Sequence, residues 1–196
     1  MNAMTGTNGR PPARGFSLWE LLIVVAITLV VAAVAVPQLI AAAQSFKLRS
    51  TASGLSGLVQ KGRMLAVARN GFYPLLTTTG TVYVFIDVNG TGTMDTTAEN
   101  TSVLMPGSVA IDPSGSNPSD TALKGSLNPV YASLPRFNPR GLPCFMVSGV
   151  CKVDPTQMYI TYLRQDRALG ATGWAAVTVS PAGRAQVWTW DGSKWQ

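Results

Sequence analysis

The order of patterns along this chain predicts an α+β fold, with a long N-terminal helix first and an antiparallel β-sheet packed on it afterwards. Three observations carry that expectation. From Leu21 to Phe46 there is no charged residue. Beyond it, apolar residues recur at three- and four-residue spacing as far as Leu65. After Gly71 the chain changes to short runs rich in β-branched and aromatic residues. At 196 residues it holds one ordinary domain plus a short extra element, and no internal repeat is visible.

The first segment, 1–15, is small and polar, with Arg10 and Arg14 just ahead of the apolar run. Positive charge on that side predicts that the leader stays in the cytoplasm and that everything after the helix lies outside. The apolar core Leu21 to Val36 would span about 24 Å at 1.5 Å per residue. Adding Pro37 to Ala43 brings the length near the roughly 30 Å of a bilayer interior, so 16–46 is long enough to cross a membrane. A plain anchor explains the hydrophobicity but not Glu20, since an ionisable group at the centre of such a segment costs about 2.5–3.5 kcal/mol. A secretory signal with Ala33-Val34-Ala35 as its small-residue cleavage site leaves Glu20 and the polar leader equally unexplained.

The helix is expected to continue through 47–71. Leu48, Ala52, Leu55, Leu58, Val59 and Leu65 form an apolar stripe, with Lys47, Arg49, Lys61 and Arg63 between them. Gly54, Gly57 and Gly62 each weaken it by roughly 1 kcal/mol relative to Ala, so tertiary packing must hold it. The basic residues read as a solvated face or as contacts to lipid headgroups or neighbours. Asn70-Gly71 is a natural C-terminal stop.

The remainder, 72–196, reads as a β-rich domain. Strands are expected over Phe72 to Thr77, Thr81 to Asp87, Val103 to Ile111 (broken at Pro106-Gly107), Gln157 to Leu163, Trp174 to Val179 and Arg184 to Trp190. Pro181-Ala182-Gly183 is a tight hairpin connection. The stretch 112–130 is dense in Ser, Gly, Asn and Pro and is expected to be a mobile loop.

Little points to catalysis or to a cofactor. The absence of histidine excludes Ser-His-Asp and Cys-His arrangements and histidine metal sites. The nine acidic residues are scattered without an obvious pair. Cys144 and Cys151 read as a disulfide made in an oxidising compartment, or else as two buried thiols. Asp87, Asn89, Thr91, Gly92 and Asp95 sit at calcium-loop spacing, but Ala98 stands at the twelfth position, where an EF-hand needs glutamate. A plain turn is the competing account. The net charge of +6, which falls to +4 without Arg10 and Arg14, is a weak pointer to nucleic acid or anionic lipid.

The run Gly15-Phe16-Ser17-Leu18-Trp19-Glu20-Leu21-Leu22-Ile23-Val24 accounts for leader, carboxylate and apolar segment together. It resembles the class III signal of type IV pilins and pseudopilins. The resemblance implies cutting between Gly15 and Phe16 by a prepilin peptidase, N-methylation of Phe16, and retention of the apolar helix on the mature chain. It implies further that Glu20 neutralises the N-terminal amine of a neighbouring subunit, and that Pro37 kinks or locally melts the helix. A buried carboxylate and ammonium together cost far less than either alone. Trp19 is bulkier than the aliphatic or Thr residue common at that place.

The rest of the chain resembles the GspH/FimT group of minor pilins and type II secretion pseudopilins. The likeness is carried by Gly62-Arg63 through Arg69-Asn70, Phe85 through Gly92, Phe137-Asn138-Pro139-Arg140-Gly141, and Trp174 through Ser180-Pro181-Ala182-Gly183-Arg184 to Trp195. It implies the pilin fold and a non-catalytic subunit of a type IV pilus or type II secretion filament. That subunit would sit in the inner membrane with a periplasmic domain, and its partners would be other pilins or pseudopilins. Some pilins of this group bind DNA through a basic Gly-Arg-x-Arg stretch. Here the match is Gly183-Arg184-Ala185-Gln186, with Gln186 in place of the second arginine. Arg164, Arg167 and Lys194 could supplement Arg184, with Trp188 or Trp190 stacking on bases. Core or interface packing is the other reading of those tryptophans.

Overall fold

A computed structural model of the chain describes residues 16–78, 83–94, 102–112, 118, 121–124, 127–131, 134–167 and 172–196. Helix α1 runs Leu18–Ala68, and the Ser17 carbonyl accepts the Leu21 N–H at 3.1 Å. Two compact units divide within it, after Ile40, and Ala41–Gln196 is the second. Every residue from Phe16 to Ala43 is exposed, and α1 is long and apolar enough to cross a membrane. Pro37, expected to kink or locally melt the helix, lies inside it. The missing proline N–H removes one hydrogen bond from a ladder that is intact on both sides.

In the second unit α1 is amphipathic as its spacing requires. Leu48, Ala52, Leu55, Leu58, Val59 and Ala66 are buried, while Leu65 is only half-buried. Gly62 is buried too, and a Cβ there would come within 3.1 Å of Leu75 Cδ1. The lost helix propensity at that position is therefore exchanged for close approach of the sheet. The helix ends in a Schellman turn: Asn70 adopts φ 50°, the Gly71 N–H reaches the Ala66 carbonyl at 3.1 Å, and the Asn70 N–H reaches Val67 at 3.4 Å.

The strands after it, among the described residues, form two sheets rather than one. The first has the order β3-β2-β1-β6-β7-β8, built from β1 (Tyr73–Thr77), β2 (Tyr83–Ile86), β3 (Ser102–Leu104), β6 (Arg136–Phe137), β7 (Pro143–Val147) and β8 (Val150–Lys152). The second has the order β11-β10-β9-β4, from β4 (Val109–Ile111), β9 (Gln157–Gln165), β10 (Gly173–Val179) and β11 (Ala185–Thr189). The run read as one broken strand over Val103 to Ile111 thus splits at Pro106-Gly107 and changes sheet. Within 112–130, expected to be a loop, the chain forms α2 (Thr121–Lys124) and β5 (Asn128–Tyr131), and β5 pairs with β9 in parallel. That pairing is the exception to the antiparallel rule. Polar turn-forming residues conceal a strand whose hydrogen bonds come from a distant partner.

The central strands of sheet two, β9 and β10, are buried on both sides. Tyr159, Leu163, Ala175, Val177 and Val179 join the core under α1, with Leu75, Val84, Ile86 and Phe137 of sheet one. The alternating set Met158, Ile160, Tyr162, Trp174 and Ala176 packs with Leu123 and Trp195 in a second core. The two sets follow the period of two that a strand imposes.

Candidate functional site

At the N-terminal segment, Gly15 lies outside the described residues, as do Arg10 and Arg14. Phe16 is exposed, and Glu20 is exposed in the first turn of α1. Ser17 and Glu20 have the S-x-x-E spacing of a helix-starting capping box, and a carboxylate in the first turn complements the positive end of the helix. The same glutamate is therefore placed to favour helix initiation next to the Gly15-Phe16 junction, a signal present in the sequence that the apolar run overshadowed.

Three of the short stretches singled out above meet in space. Arg63 of α1 donates from Nη1 to the Gly183 carbonyl at 3.2 Å. Gly183 has φ 78° in the β10–β11 turn, where the Ser180 N–H bonds the Arg184 carbonyl at 2.9 Å. A Cβ on Gly183 would lie 2.8 Å from the Gly141 carbonyl oxygen and 3.1 Å from Arg63 Nε. Gly141 has φ 72°, and its own Cβ would lie 2.8 Å from Val67 Cγ2. Helix end, mid-domain turn and C-terminal hairpin are thus fastened at one point by an arginine between two glycines. Neither periodicity nor propensity joins these residues, and the stretches that carry them were singled out separately.

Cys144 and Cys151 are bonded, with Cα atoms 5.4 Å apart. The segment between them is a hairpin, β7 with β8, turning at Ser148 (φ 48°) and Gly149 (φ 82°). Two successive positive φ values make the tight turn that matches the twist of the flanking strands.

The calcium-loop candidates resolve into a turn. Asp87 is buried, and its carboxylate accepts the Gly90 N–H at 2.8 Å and the Gly92 N–H at 3.0 Å. Asn89 Oδ1 accepts the Thr91 hydroxyl at 2.8 Å. Asp95 lies outside the described residues, among which no cluster of three candidate metal-ligating side chains occurs.

The basic residues considered for DNA are not brought together. Arg184 sits at the β10–β11 turn, whereas Arg164 pairs with Trp174 at the far end of β10. At about 3.4 Å per residue those ends are roughly 17–20 Å apart. Arg164 is engaged by Asp112 at 3.1 Å and Asp166 at 3.3 Å, and Arg167 donates to Ser45 Oγ at 3.3 Å. Lys194 is exposed in the terminal turn that Asp191 organises. Trp188 is half-buried with Nε1 bonded to Thr178 Oγ1 at 3.1 Å, and Trp190 packs edge-on against Trp195 at 5.4 Å. Their packing follows the core reading.

No curated protein matches this chain in sequence. Among solved structures it is similar to the type IV minor pilin FimU of Pseudomonas aeruginosa, at 18% identity over 78% of this chain and 94% of that one, with a TM-score of 0.46. Residues 10–36 match the prokaryotic N-terminal methylation motif. That motif takes in Arg10, Arg14, the Gly15-Phe16 junction, Glu20 and the start of an exposed apolar helix, so the chain carries an N-terminal methylation motif at the head of α1.

Proposed function

We propose that this chain is a non-catalytic minor pilin or pseudopilin of the GspH/FimT group, a subunit of a type IV pilus or type II secretion filament. A prepilin peptidase cuts between Gly15 and Phe16, and Phe16 is then N-methylated. The remaining helix, over 16–46, anchors the subunit in the inner membrane, with 47–71 continuing it and the β-rich domain, 72–196, in the periplasm. On assembly the apolar helix leaves lipid for contacts with the helices of other pilins, and Glu20 meets a neighbour's N-terminal amine. One observation carries this reading: the methylation motif covers 10–36 and runs directly into a helix whose residues are exposed as far as Ala43. An apolar surface of that length needs lipid or partner helices to cover it.

The test is the N-terminus of the protein recovered from envelopes. Mass spectrometry is expected to find methylated Phe16 as the first residue, and Gly15→Leu to leave the precursor uncut. A first residue at Val36 would replace this reading with an ordinary secretory signal.

A further inference from the structure

Beside α1, in the second unit, lies a cleft of about 230 Å³ whose lining includes Ser45, Arg49, Arg167, Trp174, Thr189 and Asp191. Arg167 is built into it. Gly173 makes room for the guanidinium, since a Cβ there would lie 2.8 Å from both Nε and Nη2. Nη2 donates to Ser45 Oγ at 3.3 Å, while Nε is buried with no hydrogen-bond partner. Arg49 stands four residues after Ser45, on the same face of α1, and is exposed. Among the described residues neither arginine forms an ion pair.

The carboxylate lining the cleft is already committed. Asp191 accepts the N–H groups of Ser193 and Lys194, each at 2.8 Å, the Ser193 hydroxyl at 2.9 Å, and the Gln196 side-chain amide. Two guanidinium groups with unused donors, one of them fixed, form a receptor for a tetrahedral oxyanion, because the planar fork matches two oxygens at once. Their place in the chain indicates which one. Lys47 and Arg49 are the first charges after the charge-free stretch from Leu21 to Phe46, where a membrane-crossing helix emerges among headgroups.

We propose that Arg49 and Arg167 bind the phosphate of an anionic phospholipid headgroup, fixing the domain at the membrane surface before assembly. The assignment of the phosphate to lipid rests on the membrane-anchored reading above; the oxyanion site itself does not.

The test uses the full chain in a non-ionic detergent, with native mass spectrometry recording bound phosphatidylglycerol, diacylglycerol or inorganic phosphate. One phosphatidylglycerol is expected to be retained, and diacylglycerol is not. Arg49→Gln and Arg167→Gln should each weaken retention about tenfold or more, as for loss of a charged hydrogen bond, and Lys61→Gln should leave it unchanged. Arg49 is exposed, so its variant keeps the test valid if Arg167→Gln disturbs folding. Inorganic phosphate displacing the lipid at equal concentration would make this a free-phosphate site and overturn the lipid assignment. Equal retention of diacylglycerol, or retention unaltered in both arginine variants, would overturn the site. Carbonate-resistant membrane association of the wild type, measured separately, reports on the anchor alone.

Discussion

Gly183→Ala should unfold the domain far more readily than its single methyl suggests. The new residue must hold φ near 78°, which costs about 1–2 kcal/mol for an L side chain. Its Cβ would sit 2.8 Å from the Gly141 carbonyl oxygen, a backbone atom in a turn that also has positive φ, so the turns must separate. Separation breaks the 3.2 Å bond from Arg63 to the Gly183 carbonyl, a charged hydrogen bond contributing about 1.5–3 kcal/mol. Together these give roughly 3–4 kcal/mol, a fall in Tm of about 10 °C for a domain of this size. Gly149→Ala is the control, because Gly149 has φ 82° but nothing within 4 Å of a Cβ. It should cost only the conformational part. Thermal unfolding of the full chain in mild detergent, followed by tryptophan fluorescence, would measure both. Equal shifts for the two variants would refute the idea that Arg63 and the two glycines fasten helix to hairpin.

Glu20→Gln should preserve membrane insertion and peptidase cleavage, since a charge has left the apolar helix and the proposed cut lies on the far side of Phe16. Recovery in sheared filaments should fall, because a buried ammonium that loses its partner costs about 3–5 kcal/mol; wild-type recovery would remove Glu20 from assembly. Protein taken from envelopes should show neither Cys144 nor Cys151 open to thiol labelling, and reduction should cost about 2–3 kcal/mol by the chain-entropy model, read as a shift in urea midpoint. The terminal turn should resist acid. N–H groups of Lys194 and Ser193 hold the Asp191 carboxyl well below its ordinary range, so its contribution is complete above the unfolded carboxylate pKa and is lost only as pH falls through the lower folded value. Amide exchange at Ser193 and Lys194 that rises already near pH 4 would contradict this.

How much of this was readable in advance depended on how local the cause was. The helix, its apolar face and its stop at Asn70-Gly71 follow from spacing and from one left-handed residue, causes confined to a few neighbours in the chain. The strands of β1, β2, β9, β10 and β11 were legible because β-branched and aromatic residues crowd there, and the Pro181-Ala182-Gly183 turn because few residues accept its geometry. The Gly15 to Glu20 motif is linear, so the amino-acid order contains it complete. By contrast the β7–β8 hairpin pairs locally, but its strands are short and the first begins at a proline, and β5 and β6, short and polar or proline-bearing, pair with β9 and β1, far away in sequence. The change of sheet at Pro106-Gly107 has the same origin.

By itself, then, the sequence determined the class of fold and the membrane-length helix and singled out candidate residues for processing and assembly, because each depends on local period or linear motif. Tertiary structure alone decided which distant residues share a place. It set Arg63 between Gly141 and Gly183, and Arg167 against Gly173 and Ser45. It turned the Asp87 carboxylate onto its own turn and kept Arg184 apart from Arg164. Those outcomes depend on where two sheets close over one helix face, a balance of packing summed over the whole core that no short stretch of the chain carries.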